Sequence, residues 1–145
     1  MNGDRRPWED PTYKRRDFYV YEAEALAIAA GGSANDVINI EADSDFILQK
    51  LAYQADNAGA QQTDSTRVIP NVTVQITDTG SGRQLMQNPV PIESFFGYGA
   101  LPFILPNPRI FMRNSTIQIA FTSFEAAATP NVRLAFIGYK IYGTA

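Results

Sequence analysis

Apolar and polar residues alternate with a period of two along much of this chain, a pattern typical of half-buried β-strands. The clearest example is residues 72–76, in which Val72, Val74 and Ile76 alternate with polar residues. Three other segments share this period, with apolar positions at Ile38 and Ile40, at Ile117, Ile119 and Phe121, and at Val132, Leu134 and Phe136. The pattern predicts that each segment is a strand with one face in the core.

The signal in residues 17–29 is mixed, because alanine, glutamate and leucine favour a helix while larger side chains recur at every second position. We predict a strand there, with one face of larger residues that begins at Phe18 and one face mainly of alanine. Residues 46–55 also alternate. They follow a short predicted strand at 37–42 and an acidic turn at 43–45, so a β-hairpin is the simplest arrangement of these two strands.

Glycine and proline define two further segments. The sequence Asp-Thr-Gly-Ser-Gly at residues 78–82 predicts a turn that folds the chain back into a strand at 83–86. Residues 88–108 hold most of the chain's nine prolines, which exclude an interior strand or a long helix. This segment is predicted to be an ordered loop with a short helical turn at residues 92–95, and its large apolar residues are expected to be covered.

Seven or eight short strands separated by turns indicate an all-β fold, an antiparallel β-sandwich for which the jelly-roll is the expected topology. The length of 145 residues fits one domain. We assign this domain to residues 17–145 and an extended arm to residues 1–16, which show neither strand nor helix periodicity. The last strand, residues 132–142, is so apolar that it should close the sheet core.

The composition excludes several classes of function. The chain has no histidine and no cysteine, so it lacks the usual general base, the commonest zinc ligand and the thiolate nucleophile. We therefore predict a protein without enzymatic activity and without a cofactor. No apolar run approaches the roughly 20 residues of a membrane span, and the N-terminus has no secretion signal. We expect a soluble protein that is made in a cytoplasm and does not contact a membrane.

Charge is distributed unevenly along the chain. Residues 1–16 hold five basic and three acidic residues, whereas the remaining residues hold seven and twelve. The acidic body argues against nucleic-acid binding, which needs many lysines and arginines to neutralise phosphates. The arm combines positive charge with aromatic residues that commonly anchor contacts, so we predict that it docks on a partner. The predicted contact residues are Arg5, Arg6, Trp8, Tyr13, Lys14, Arg15, Arg16 and Phe18.

An aromatic stretch around two glycines, formed by Phe95, Phe96, Tyr98 and Phe103, is a second candidate contact site. Such a stretch could bind a sugar by stacking, as in jelly-roll lectins. We favour packing across an open end of the sandwich or against a neighbouring subunit, because a proline-rich loop with large apolar residues is usually covered. Phe95, Phe96 and Tyr98 are therefore predicted to bind a partner.

Two short motifs have both a chemical and a structural interpretation. The sequence Asp78-Thr79-Gly80-Ser81 matches the active-site loop of aspartic proteases, although the same residues are expected in a hairpin turn. A monomer of this size would have to dimerise to supply the second aspartate. A cluster of four carboxylates could bind Ca²⁺ through oxygen ligands, but solvated carboxylates in a turn are commoner, so no metal is assigned. The cluster consists of Asp36, Glu41, Asp43 and Asp45.

Four features occur together in this sequence. They are a strand ahead of Asp43-Ser44-Asp45-Phe46, a polar loop, a centre rich in proline, glycine and aromatic residues that leads to Ser115-Thr116-Ile117, and the terminal strand Arg133-Leu134-Ala135-Phe136-Ile137-Gly138-Tyr139-Lys140. In these features residues 17–142 resemble a family of small virion structural proteins of tailed bacteriophages, the capsid decoration or cement proteins with jelly-roll folds.

The resemblance implies a non-enzymatic protein that sits on the outer surface of a phage capsid, binds the major capsid protein and stabilises the shell. It also implies a homo-oligomer, a dimer or a trimer, because repeated shells use symmetric contacts. Phage neck, head-fibre and tail adaptor proteins are alternatives of the same class. A carbohydrate-binding module and a dimeric aspartic protease are alternatives of another class. The arm lies outside the resemblance.

Overall fold

Nine strands and one short helix form the part of the chain that the computed structural model describes, which comprises residues 15–57, 68–98 and 101–142. Seven of these strands have seven or more residues, and two are short pieces beside β4. In chain order the elements are β1 (Arg16–Ala25), β2 (Ser33–Asn39), β3 (Asp45–Asn57), β4 (Val72–Asp78), β5 (Arg83–Gln84), β6 (Val90–Pro91), α1 (Ile92–Phe95), β7 (Phe103–Phe111), β8 (Thr116–Ser123) and β9 (Pro130–Ile141).

The strands form two antiparallel sheets that pack as a sandwich. The first sheet has the order β1-β9-β3-β7, and the second has the order β2-β8-β4-β5, with β6 also paired to β4. The seven long strands alternate between the two sheets at every step along the chain, so the chain crosses the sandwich repeatedly. This winding is consistent with the expected jelly-roll topology. The prediction of an all-β antiparallel sandwich is confirmed.

The predicted core faces are buried between the two sheets. Apolar residues of β4 and β8 alternate with more exposed polar residues, and those of β9 do so on its inner side. The fully buried set includes Ile76, Ile117, Ile119, Phe121, Leu134 and Phe136. Strand β9 lies between β1 and β3 and pairs with both along most of its length. The last strand therefore closes the core, as its sequence predicts.

The predicted hairpin of the second and third strands is wrong. Strand β2 pairs with β8, whereas β3 pairs with β7 and β9 in the other sheet. The chain crosses between the sheets here, and Ile40 and Ser44 are buried in the crossing. By contrast, the predicted turn after β4 does form a hairpin, in which Asp78 pairs with Arg83 and Gly82 has a φ of 70°.

The proline-rich segment contains both the predicted helical turn and the first part of an edge strand. Helix α1 covers Ile92–Phe95, as expected, but β7 (Phe103–Phe111) begins inside the segment 88–108, for which an ordered loop was predicted. Strand β7 pairs only with β3, at the edge of the first sheet. Its Pro106 and Pro108 lie between Ile104, opposite Lys50, and the next paired residues, so neither proline removes a ladder hydrogen bond.

The other edge strand of the first sheet is β1, and a side chain of the second sheet protects part of its free side. Strand β1 has β9 on one side, and on its free side the backbone N–H of Glu24 donates to Asp36 Oδ2 at 2.8 Å. Asp36 belongs to β2 in the other sheet. A side chain of one sheet thus occupies a hydrogen-bonding position on the edge of the other.

A glycine in β9 allows two backbones to approach closely. The pairing of β3 shifts register between Leu48 and Lys50 against both of its neighbours. Gly138 lies opposite Leu48, and a Cβ atom at this position would overlap the carbonyl oxygen of Ile47. The irregularity in β3 and the glycine in β9 therefore depend on each other.

Candidate interaction face

The first sheet turns one side to the core and the other side outward, and its outward residues are largely apolar. Their positions follow from the strand registers, which align them in two rows across β1, β9, β3 and β7. The first row is Phe18, Tyr139, Ile47 and Ile110, and the second is Val20, Ile137, Lys50 and Ile104. We call these eight residues the outer apolar face.

The outer apolar face is exposed at both edges of the sheet. Phe18 on β1 is 76% exposed, and Ile104 and Ile110 on β7 are 66% and 56% exposed. Ile47, in the middle of the first row, is buried because its neighbours cover it. Large apolar side chains that are contiguous and exposed mark interaction surfaces on soluble domains. This surface is the strongest candidate site among the described residues.

Charges of opposite sign lie at the two ends of the outer apolar face. Beyond the first row, Arg16 lies with its guanidinium 5.3 Å from the centre of the Tyr139 ring. Beyond the second row, Glu22 and Glu24 are exposed on the same strand, and Glu24 pairs with Arg133 at 3.4 Å. Desolvation and then the hydrogen bond with Glu24 raise the pKa of Glu22. The face thus has a basic end and an acidic end.

The structure places three of the predicted contact residues at the basic end. Arg15, Arg16 and Phe18 are exposed there, and the Arg15 guanidinium lies 4.0 Å from the centre of the Tyr142 ring. The backbone N–H of Tyr142 also donates to the Arg15 carbonyl, and Arg16 pairs with Ile141. The last two residues of the predicted arm are therefore held by the first sheet. The other predicted contact residues of the arm lie outside the described residues. They are Arg5, Arg6, Trp8, Tyr13 and Lys14.

The aromatic stretch does not form the predicted contact surface as a whole. Phe96 is buried and its ring packs edge-on against Phe136, so its assignment as a partner-binding residue is corrected to a core role. Phe95 is half-buried and stacks on Phe103. Only Tyr98 of the predicted three is exposed, at 55%. Because these phenylalanine rings pack on one another, the described stretch offers no platform of several exposed rings for a sugar.

A groove continues the outer apolar face at its acidic end. Its volume is about 670 Å³, and Tyr98 lines it together with Glu22 and Arg133. Its other lining residues are Ala52, Tyr53, Gln54, Ala55, Val68, Ile69, Leu134 and Ala135. Tyr98 therefore borders the same surface as the apolar rows.

Most of the outer apolar face was not predicted from the sequence. Phe18 was predicted to be a contact residue, but Val20, Ile104, Ile137 and Tyr139 were not. A signal was present in β9, whose residues are apolar on both sides and not only on the core side. Strands that are apolar on both faces are normally covered on both faces.

The aspartic-protease motif forms a hairpin turn. Asp78 is buried, its Oδ1 accepts from the backbone N–H of Gly80 at 3.0 Å, and its Oδ2 accepts from the Ser81 hydroxyl at 3.0 Å. The same Oδ2 lies 3.4 Å from Arg109 Nη2 on β7. These contacts fix the turn and tie it to the edge of the other sheet. These contacts give Asp78, Gly80 and Ser81 a structural role in the turn.

The acidic cluster is divided among separate partners. Asp45 pairs with Arg113, Asp36 caps the edge of β1, and Glu41 and Asp43 face Lys140. Within the described ranges no group of three or more acidic side chains is arranged to hold a metal ion. Likewise, no helix in these ranges is long and apolar enough to span a membrane.

Lys140 closes one end of the sandwich as a buried cation. Its Nζ lies 2.7 Å from Glu41 Oε2 and 4.0 Å from the centre of the Tyr19 ring. Tyr19 donates its hydroxyl hydrogen to Glu41 Oε1, and the backbone N–H of Glu41 donates to the Tyr21 hydroxyl. Burial is the largest influence on Lys140 and opposes its charge, but the hydrogen bond to Glu41 and the electrostatic interactions with Tyr21, Asp43 and Glu41 together outweigh burial and raise the pKa of the ammonium. The crossing between β2 and β3 is thereby attached to β1 and β9.

This pairing predicts a loss of stability in acid. Lys140 and then the Tyr19 hydroxyl lower the pKa of Glu41 in the folded protein. The stabilisation is therefore present above the unfolded-state pKa, near 4.5, and is lost as the pH falls through the lower folded-state value. We expect urea unfolding midpoints of Glu41→Gln to depend less on pH between 6 and 3 than those of the unchanged protein. Glu93→Gln, at an exposed residue of α1, is the control and should keep the full dependence.

Comparisons with known proteins do not assign the chain to a family. No protein-family model and no curated protein matches its sequence. One similar solved structure is titled "Crystal structure of infectious bursal disease virus VP2 subviral particle", with a TM-score of 0.31 and 10% sequence identity. The similarity covers 94% of this chain and 41% of that chain, so the present chain spans about two fifths of its length. A TM-score of this size does not establish a common fold.

Proposed function

We propose that this chain is a structural protein of a virus particle, which decorates or cements the capsid shell of a tailed bacteriophage. The observation that carries the proposal is the outer apolar face, because contiguous exposed apolar side chains mark a contact between protein subunits, and a decorated shell contains many copies of each subunit. The all-β sandwich and the sequence features shared with phage decoration proteins support the same role. The protein would act by binding and would need no cofactor.

A cement protein acts through mass action. It binds the assembled shell but not the separated subunits, and so it stabilises the shell by an amount that grows with the logarithm of the ratio of its concentration to the dissociation constant. In this proposal the partner is the major capsid protein, and the protein sits on the outer surface of the particle. In this proposal the arm attaches the protein to the capsid. The last residues of the arm, Arg15 and Arg16, are exposed at the basic end of the first sheet, next to the exposed Phe18.

The number of copies in a particle tests this proposal directly. Purified particles are digested, and this protein is quantified by mass spectrometry against the major capsid protein. Copies in the hundreds are expected for a decoration protein, because the shell repeats its binding site. About a dozen copies or fewer would contradict this role and support a neck, head-fibre or tail adaptor. Absence from the particle would contradict a virion role altogether.

Removal of the arm should separate attachment from folding. We expect the chain lacking residues 2–14 to melt within about 3 °C of the full chain, because every described strand remains intact. Its binding to shells stripped of this protein should fall at least tenfold, measured by co-sedimentation.

The control for this truncation keeps the length of the arm and changes one sign of charge at a time. Arg5→Ala with Arg6→Ala removes two cations, and Asp4→Ala with Glu9→Ala removes two anions. The first pair should weaken binding and the second should not, if capsid carboxylates are the partner groups. Equal binding by the full and truncated chains would show that the arm has no part in attachment.

A further inference from the structure

We propose that the outer apolar face binds the same face of a second copy of this chain, and that the two β1 strands run antiparallel across this interface. The resulting dimer has two-fold symmetry. Its axis lies in the plane of the interface, along the rows and midway between them. This inference does not rest on the virion role, because it concerns the isolated protein.

The two apolar rows match each other under this rotation. The first row of one copy covers the second row of the other, so Phe18 faces the partner's Val20 and Tyr139 faces the partner's Ile137. At the edge strand β7, Ile110 faces the partner's Ile104. The residues of the outer apolar face that are most exposed in the single chain, Phe18, Ile104 and Ile110, would thus be removed from water, which is favourable.

Lys50 is the one charged member of the face. It lies on β3, next to the edge strand β7. A lysine can lay its methylene stem along an apolar surface while its ammonium group stays in water. A lysine one strand from the edge is therefore compatible with an apolar interface.

The order of charges favours a second copy over an unrelated partner. On β1 the sequence of outward residues is Arg16, Phe18, Val20 and Glu22, which places a cation at one end and an anion at the other. The rotation that exchanges the apolar rows also places Arg16 opposite the partner's Glu22, and Glu22 opposite the partner's Arg16. Under this rotation the face is therefore self-complementary both in its charges and in its apolar rows.

The size of the face indicates a weak dimer. Four strands about 4.8 Å apart and seven residues at about 3.3 Å each give a patch roughly 20 Å on a side. Interfaces of this size lie at the lower end of specific associations. We expect a dissociation constant of about 1–100 µM, which sedimentation velocity detects between about 1 and 500 µM protein.

A charge exchange provides the central test. Arg16→Glu places two anions opposite each other, and Glu22→Arg places two cations opposite each other, so each change alone should weaken the dimer at least fivefold. The double variant restores opposite charges and should recover the original dissociation constant. Within one chain the two positions are six residues apart on an extended strand, roughly 20 Å, so recovery cannot come from an intramolecular pair.

Two valines provide a matched control for the apolar contacts. Val20 in the outer apolar face is 40% exposed, and Val37 in the other sheet is 48% exposed. Val20→Asp should weaken the dimer at least tenfold, whereas Val37→Asp should not change it. Thermal melting of each variant shows whether the fold is intact, and the charge exchange decides the matter if Val20→Asp does not fold.

A dimer weakened by each single charge change and restored by the double variant would support the proposal. A chain that stays monomeric up to 500 µM would overturn it, as would a dimer that ignores the charge changes and Val20→Asp. Association of this face only with another protein, such as a capsid subunit, would also overturn it. The copy number in particles is measured separately, so failure of the dimer leaves the proposed virion role standing.

Discussion

Gly138→Ala is expected to destabilise the protein by about 4 kcal/mol or more, which is a large part of the stability of a typical domain. The added methyl group would overlap the carbonyl oxygen of Ile47, which belongs to the backbone and has no rotamer with which to move aside. Because β9 is the central partner of β1 and β3, separating it from β3 weakens the whole first sheet. The free energy of unfolding in urea measures the effect.

Gly82→Ala is the control for this variant. Gly82 has a positive φ, but a methyl group there would meet no atom within 4 Å. Its replacement should cost only the backbone strain, about 1 kcal/mol. If the two variants lost equal amounts of stability, close backbone approach at Gly138 would not be the cause.

Asp78→Ala is expected to cost about 3 kcal/mol, the second-largest effect. The change removes acceptors from the Gly80 N–H and the Ser81 hydroxyl, and it leaves Arg109 without its carboxylate partner. Arg109 Nε is already buried without a hydrogen bond, so the guanidinium has little to replace the lost contact. Asp78→Asn keeps an oxygen for the Gly80 N–H and should lose less, about 1–2 kcal/mol.

Chemical denaturation of these variants is compared with that of Asp17→Ala. Asp17 also pairs with an arginine, Arg15 at 3.4 Å, but both side chains are about half exposed or more. An exposed pair contributes about 0–1 kcal/mol, so Asp17→Ala should be nearly neutral. A neutral Asp78→Ala would show that the buried contacts of the turn do not hold the hairpin to β7.

Local periodicity was sufficient to predict most of the strands and the core faces of β4, β8 and β9. Val74 in β4, Ile119 in β8 and Leu134 in β9 are buried as the alternation predicted, because the period of a strand places every second side chain on one face. The helical turn at residues 92–95 was also correct. These features depend on residues close together in the chain.

The pairing of strands that are far apart in the chain could not be predicted from local sequence patterns. The turn at residues 43–45 has hairpin composition, yet the chain crosses there to the other sheet, where Lys140 of β9 faces Glu41 and Asp43. That contact joins residues about a hundred positions apart. Proline rules likewise excluded an interior strand at residues 103–108 but not an edge strand, which tolerates proline where no ladder bond is needed.

The outer apolar face is a third feature that local sequence patterns did not predict. Alternation in β1 separates a face of larger residues from a face mainly of alanine, but it does not indicate which of them is in the core. In the structure Ala23 and Ala25 are buried, while Phe18 and Val20 point outward. The inner side of β1 is filled by larger residues from other strands, which only the assembled sandwich reveals.

The two edges of the first sheet limit how this protein can aggregate. Pro106 and Pro108 lack the N–H groups that an added strand would need along β7, and Asp36 already occupies the Glu24 N–H along β1. These features oppose the extension of the first sheet by strand addition from a second chain. Contacts through the faces remain possible, and a face pairs with one neighbour at a time.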